Sequence, residues 1–176
     1  LQAERDDQDP PGYPDQFSHG SPFDPLRHPV HLAQMAATVD VLSHGRLTLG
    51  MGVGGVFTQA QKQEWIAVGI PPEERGERMS ELAQVCRRLW TEDEVTFTGR
   101  YFQLERATME PKPIQPGGIP ILLACHYATG SEAQYRRAAH YANGVIAISD
   151  TPDQYAKTLN QVRKYVTETG TSATGL

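Results

Sequence analysis

Cysteine is scarce in this chain. Only Cys86 and Cys125 occur in 176 residues, and neither stands in a C-x-x-C pair or a Cys/His cluster. That spacing argues against a disulfide framework or a zinc site, so no metal is expected and a reduced, cytoplasmic setting is the default. No lysine/arginine cluster stands out against a formal net charge of −5. Sequence-independent affinity for nucleic acid rests on such a cluster, so nucleic acid is not expected as a partner. Nor is there a run of about 18 apolar residues of the kind that crosses a bilayer, and no membrane partner is expected. Residues 1–25, LQAERDDQDPPGYPDQFSHGSPFDP, are almost without aliphatic side chains and hold five prolines. They read as an irregular or disordered lead with no apolar core to a signal peptide.

What is present begins after that lead. The chain is 39% hydrophobic, enough for one ordinary soluble domain, taken as residues 26–176. PVHLAQMAATVDVLSHG opens with Pro29 at a first helical position, and Leu32, Met35, Ala36, Val39 and Leu42 recur at helical spacing. A strand over 46–51 follows. Residues 52–73 read as a long connection holding Trp65, and then Met79, Leu82, Val85, Cys86, Leu89 and Trp90 mark an amphipathic helix. EVTFTGRYFQL reads as a hairpin turning at Gly99-Arg100, and MEPKPIQPGG as a proline-stiffened connector. IPILLAC at 119–125 and VIAIS at 145–149 are short, wholly apolar runs, the pattern of strands buried on both faces.

Two helices alternate with those runs. Ser131 and Gln134 have capping-box spacing before one, Thr151 and Gln154 before the other. The expected spans are helices at 30–43, 75–90, 131–142 and 152–168, and parallel strands at 46–51, 119–124 and 145–148. Strands that alternate with helices imply parallel βαβ units, but three core strands fall short of the eight of a closed barrel.

RHPVHLAQMAATVDVLSHGRLTLGMGVGG, GIPPEERGERMSELAQVCRRLW, VTFTGRYFQLERATMEPKPIQP and GSEAQYRRAAHYANGVIAIS stand in this order along the chain. Together they resemble the middle of a bacterial luciferase-like monooxygenase, the family of flavin- or deazaflavin-dependent (β/α)8 barrels. The resemblance covers roughly residues 26–168. It implies an α/β fold, a partial TIM barrel of parallel strands alternating with helices, with a β-hairpin insertion. It also implies a central segment, roughly the family's third helix to its sixth.

The same resemblance implies a function. A luciferase-like flavin-dependent oxidoreductase or monooxygenase would use FMN, or coenzyme F420 as the alternative, for hydride transfer or oxygen activation on a small organic substrate. FMN is slightly preferred, because some deazaflavin-dependent members carry an acid where this chain has Gly54-Gly55-Val56. The rival reading is a truncated, non-catalytic barrel remnant that self-associates and binds flavin weakly or not at all. Open sheet edges make a homo-oligomer the expectation under either reading.

Candidate site residues follow from both lines of reasoning. Gly52, Val53, Gly54 and Gly55 end the 46–51 strand, where barrel enzymes place their chemistry. Glycine there lets a ligand or another backbone come close, or merely turns the chain. The resemblance puts the flavin ring at this corner. Gly130 and Ser131, with Gln134 in the first helical turn, form a helix start whose free N–H groups favour an anion, and there the resemblance puts the cofactor phosphate. Plain capping by Ser131 is the simpler reading. No catalytic residue is assigned. His126 is the one candidate for a general base, with an ordinary loop residue as the plainer alternative. Cys125 reads as an inert buried thiol, and Arg87-Arg88 and Arg136-Arg137 as solvated helix faces.

Overall fold

The computed structural model describes residues 17–21, 24–148 and 150–169. Its centre is a four-stranded parallel sheet made of β1 (Phe17–Ser21), β2 (Leu47–Met51), β5 (Ile121–Ala124) and β6 (Gly144–Ile146), adjacent in that order. Every residue of β2 is buried, as its place inside the sheet and under the helices requires. Leu49 stands opposite Ile121 and Met51 opposite Leu123, in parallel register as expected. Leu123 in turn pairs with Val145.

The strand β1 corrects one expectation. Residues 17–21 were read as part of the irregular lead, yet they pair residue for residue with Leu47–Met51. Phe-Ser-His-Gly-Ser carries no aliphatic run, so its strand character comes from its neighbour rather than from its own pattern. Residues 1–16 lie outside the described residues.

The connecting helices are α1 (Pro29–Leu42), α2 (Gln59–Ala67), α3 (Arg75–Thr91), α4 (Glu132–Tyr141) and α5 (Pro152–Thr169). Helix α3 buries Met79, Leu82, Val85, Cys86, Leu89 and Trp90, the stripe its spacing predicts. The Trp90 indole N–H donates to the Ala33 carbonyl at 3.0 Å, tying α3 to α1. Helix α1 differs from its expected face. It buries Leu32, Ala33, Ala36, Ala37 and Asp40, while Met35, Val39 and Leu42 are 56%, 42% and 74% exposed. Small alanines lie inward because α1 packs closely on α3, and the larger apolar groups are left facing out.

Helix α2 lies in what the sequence presents as a featureless connection. Thr58 and Gln61 form a complete capping box at its start, with the Gln61 N–H donating to Thr58 Oγ1 at 3.2 Å. Trp65 is its one buried residue. The hairpin of β3 (Val95–Thr98) and β4 (Gln103–Ala107) leaves Gly99–Phe102 between its strands, so Gly99-Arg100 is not a two-residue turn. Glu81 of α3 explains the wider loop: its carboxylate accepts the backbone N–H groups of Arg100, Tyr101 and Phe102 at 2.8, 2.9 and 3.1 Å.

The two faces of the sheet are unequally covered at β5, although β2 is buried on both. Ile121 and Leu123 of β5 are buried against the helices, whereas Leu122 and Ala124, pointing to the other face, are half-buried. The expected burial on both faces is therefore not met at β5. Gly20, Gly50, Leu122 and Gly144 form one row across the four strands. A Cβ on Gly144 would lie 2.7 Å from Leu122 Cδ2, so the leucine occupies the space its neighbour leaves.

Candidate functional site at the strand ends

The C-terminal ends of β2, β5 and β6 lie side by side, which brings the segments 52–55, 125–131, 147–148 and 150–151 to one edge of the sheet. Gly52, Val53, Gly54 and Gly55 are all half-buried there. Gly54 has φ +77°, a conformation that needs glycine. Gly55 is small for another reason. A Cβ there would meet the Gln61 amide nitrogen at 2.8 Å and the Phe57 ring at 3.1 Å. The Gln61 side-chain amide oxygen accepts the N–H groups of Phe57 and Thr58 at 2.8 and 3.1 Å, and the Trp65 indole donates to the Gly55 carbonyl at 3.2 Å. At Gly55 it is the protein's own chain that comes close. Val53 instead packs against the core and borders a crease with Met51, Met79, Leu123, Gln134 and Arg137 that is too narrow to admit a water.

The loop after β5 is pinned by Gln134. Its amide oxygen accepts the His126 N–H at 2.9 Å, and its amide nitrogen donates to the His126 carbonyl at 2.8 Å and to Thr129 Oγ1 at 2.7 Å. Gln134 therefore braces the loop and does not complete a capping box, and the Ser131 hydroxyl makes no cap bond. Gly130 turns the chain at φ +59° with open space where a Cβ would be. As a result the backbone N–H groups of Ser131, Glu132 and Ala133 have no acceptor among the described residues. They point out of the positive end of α4. Tyr127 N–H donates to Asp150 Oδ2 at 3.0 Å, which ties this loop to the one after β6. The His126 imidazole makes no hydrogen bond among the described residues, and its backbone is extended. Cys125 is fully buried, its thiol pushed up to about 12 by that burial, and it donates to the Gln134 carbonyl at 3.6 Å. It is the inert thiol its sequence context implies.

Arg137 is not the solvated helix face expected of Arg136-Arg137, and Arg75 carried no expectation. Arg137, one turn beyond Gln134, is half-buried and donates from Nε to the Gly76 carbonyl at 2.9 Å and to Ser80 Oγ at 3.2 Å. Burial lowers its pKa from the ordinary guanidinium value, and Arg75 nearby adds to the effect. Arg75 donates from Nη1 to the Pro72 carbonyl at 2.8 Å, but its buried Nε has no partner. Arg87 is likewise no solvated face: it reaches the Tyr141 carbonyl at 3.2 Å and the Asn143 side chain. The legible signal was Gln134 and Arg137 one turn apart, on the side of α4 that faces the N-terminal turn of α3. Among the described residues no cluster of three metal-ligating side chains occurs, and no helix is long and apolar enough to cross a membrane.

Parallel strands alternating with helices, with half-buried glycines and bare helix N–H groups at the C-terminal edge, make a partial (β/α)-barrel fold. Residues 23–176 match the luciferase-like monooxygenase family, and the chain belongs to it. It is similar to the F420-dependent glucose-6-phosphate dehydrogenase of Kineococcus radiotolerans, with 35% identity over 136 residues, 75% of this chain and 37% of that protein. Among solved structures it is similar to the monooxygenase RslO1 of Streptomyces bottropensis, with TM-score 0.68, 30% identity, 83% of this chain and 43% of that one covered. A riboflavin lyase, RcaE, solved with modified FMN and riboflavin, has TM-score 0.71 at 16% identity, covering 90% of this chain and 38% of its own. The chain spans less than half the length of the curated relatives it matches.

Proposed function

We propose that this chain carries one wall of a flavin-type oxidoreductase site, for FMN or coenzyme F420 and a small organic substrate. The observation that carries this reading is the set of three bare N–H groups at Ser131–Ala133, beside the glycine corner at the end of the neighbouring strand. The residues present fit an anionic, flat cofactor. The helix start offers donors to a phosphate. The unpartnered buried Arg75 Nε, with Arg137 near it, adds positive charge between α3 and α4. Gly54 holds a conformation that needs glycine at this corner, whereas the space beside Gly55 is already filled by Gln61 and Phe57.

When bound, such a cofactor supplies hydride transfer or, in reduced form, oxygen activation. This chain's part is to hold and orient it. Gln134 fixes the loop that presents the N–H groups, and Trp65 anchors the 55–65 segment beside the ring corner. His126, with a free imidazole at the mouth, is the group here able to move a proton to or from a substrate. No acid stands at 54–56, which keeps the preference for FMN over F420.

Titration with FMN and with F420, followed by fluorescence, tests the reading. Binding tighter than about 1 mM, or about −4 kcal/mol, is expected for one of them. Ser131→Pro removes one N–H donor and should weaken that binding at least tenfold, while Ser131→Ala should leave it unchanged because the hydroxyl is unused. No binding of either cofactor would overturn the proposal. It would favour the second reading, a chain without a working cofactor site of its own, which rests on the half-buried Leu122 and Ala124 of β5.

A further inference from the structure

We propose that Asp150 is a positioning residue of the site: its carboxylate sets where the loop after β5 holds His126 and the N–H groups of Ser131–Ala133. Residues 127–130 of that loop are exposed, so little side-chain burial fixes their path and hydrogen bonds must do so. Most of those bonds are internal. Thr129 N–H donates to the His126 carbonyl at 3.3 Å and Gly130 N–H to the Tyr127 carbonyl at 3.1 Å. Gln134 adds three more, but it belongs to α4, so it fastens the loop to the very helix the loop leads into. Loop and helix start thus form one piece. Beyond Cys125, whose N–H donates to the Ile146 carbonyl at 2.9 Å, a single hydrogen bond among the described residues joins that loop to another element. It runs from Tyr127 N–H to Asp150 Oδ2 at 3.0 Å.

Asp150 stands on a firm base. It directly precedes Thr151, which caps α5 through a box with Gln154 closed at 2.8 and 3.3 Å. In the first turn of α5, the Tyr155 hydroxyl donates to the Val145 carbonyl at 3.0 Å and bolts the helix to β6. The acceptor is therefore carried by a rigid element, and a carboxylate accepts an N–H more strongly than a neutral oxygen does. From the same helix the Lys157 ammonium lies 5.2 Å from the centre of the Tyr127 ring, so α5 holds the side chain of the residue whose backbone Asp150 holds. Successive N–H groups, those of His126 and Tyr127, are taken by Gln134 and by Asp150, from two different elements. They belong to the two peptide groups that flank the His126 Cα, so together they fix the direction in which its side chain leaves the backbone. A misplacement of about 1 Å is costly at a reacting site. Asp150 acts through the loop and is not itself a contact of substrate or cofactor. This role builds on the flavin-type reading of the edge, while the order of the loop is measured without a cofactor.

Asp150→Ala removes the acceptor, and Asp150→Asn keeps a neutral one. In the ligand-free 176-residue chain, amide hydrogen exchange read by NMR should quicken about tenfold at Tyr127, Thr129 and Gly130 in Asp150→Ala. It should stay unchanged in β2 and α3 and be largely restored in Asp150→Asn. The urea midpoint should barely move, because the loop is exposed. Affinity for FMN or F420, whichever the unsubstituted chain binds, should fall about fivefold in Asp150→Ala and recover in Asp150→Asn. A residue that serves stability alone would lower the midpoint and leave the affinity of the folded protein as it was. Unchanged exchange in the loop of Asp150→Ala would overturn the proposal, with or without a cofactor. So would quickened exchange with unaltered cofactor affinity. A chain that binds neither cofactor overturns the flavin-type reading instead, and the exchange result by itself then decides whether Asp150 positions the loop.

Discussion

Where the chain enters the sheet, donors are gathered up; where it leaves, they stand bare. Asp40, fully buried in the last turn of α1, accepts the N–H groups of Ile114 and Gln115 at 2.9 and 3.3 Å and the Gln115 side-chain amide at 2.6 Å. That same amide also reaches the Leu47 carbonyl, so the connector is fastened to the start of β2. Asn143 accepts the Ile121 N–H at 3.0 Å and fastens the start of β5 to the start of β6. At the opposite ends, Ser131–Ala133 and Arg75 Nε hold donors that nothing in the described residues accepts. Of these, only Arg75 Nε is buried, where an unmet donor costs stability; the Ser131–Ala133 N–H groups stand at an exposed helix start that water can reach.

Asp40→Ala is the strongest way to break this contrast. It leaves two backbone donors and an amide without their acceptor in a buried setting, and should cost about 3 kcal/mol or more in urea unfolding. Cofactor affinity of the folded fraction should be unchanged, and a large loss of affinity would show that the two ends are not separable. Gln134→Leu acts at the other end. It removes three hydrogen bonds from the partly exposed 126–129 loop, and should cost about 1–2 kcal/mol and weaken cofactor binding more than it weakens the fold. An effect on stability alone would mean that the loop brace serves the fold only.

How far this contrast was legible in the sequence differs element by element. Helix α5 was plain, because Thr151 and Gln154 form the capping box their spacing announces, with the Thr151 N–H on Gln154 Oε1 at 2.8 Å. Strand β2 was plain from its alternating leucines. Helix α2 was hidden, since nine residues with one buried side chain carry no stripe, although Thr58-x-x-Gln61 was there to be read. Gln134 misled, because its amide meets the loop before it can meet a helix cap; spacing sets which groups can meet, and the loop's path decides which do. Arg75 and Arg137 were invisible as a pair because they meet only across the α3–α4 contact.

Smaller effects sharpen the picture on the helical side. Thr158 is fully buried on α5 and its hydroxyl has no partner. Thr158→Val should therefore stabilise the fold by about 1 kcal/mol, read as a higher urea midpoint with unchanged slope. Cys125 should change nothing at neutral pH. Burial keeps its thiol protonated to about 12, above the range in which the unfolded thiol ionises. Unfolding therefore gains from thiolate formation as pH rises through the ordinary thiol range and up to the folded value. Stability should fall over that alkaline window, less so in Cys125→Ala, and iodoacetamide at pH 8 should label Cys125 only after unfolding. Rapid labelling of the native protein would place the thiol in a more open and more polar setting.

The order of strands across the sheet is also their order along the chain. During synthesis, each strand therefore emerges from the ribosome beside a neighbour that is already made, and none has to wait for a distant segment or thread between two others. Among the described strands, growth of the sheet is vectorial, from β1 through β2 and β5 to β6. At every stage one fresh row of N–H and C=O groups is exposed, and the length of that exposure is set by the time needed to translate the next βα unit. The 69 residues between β2 and β5 make the longest such interval here. Slow codons placed within it would prolong the naked-edge state, and chaperones that shield extended strands would meet this nascent chain there first.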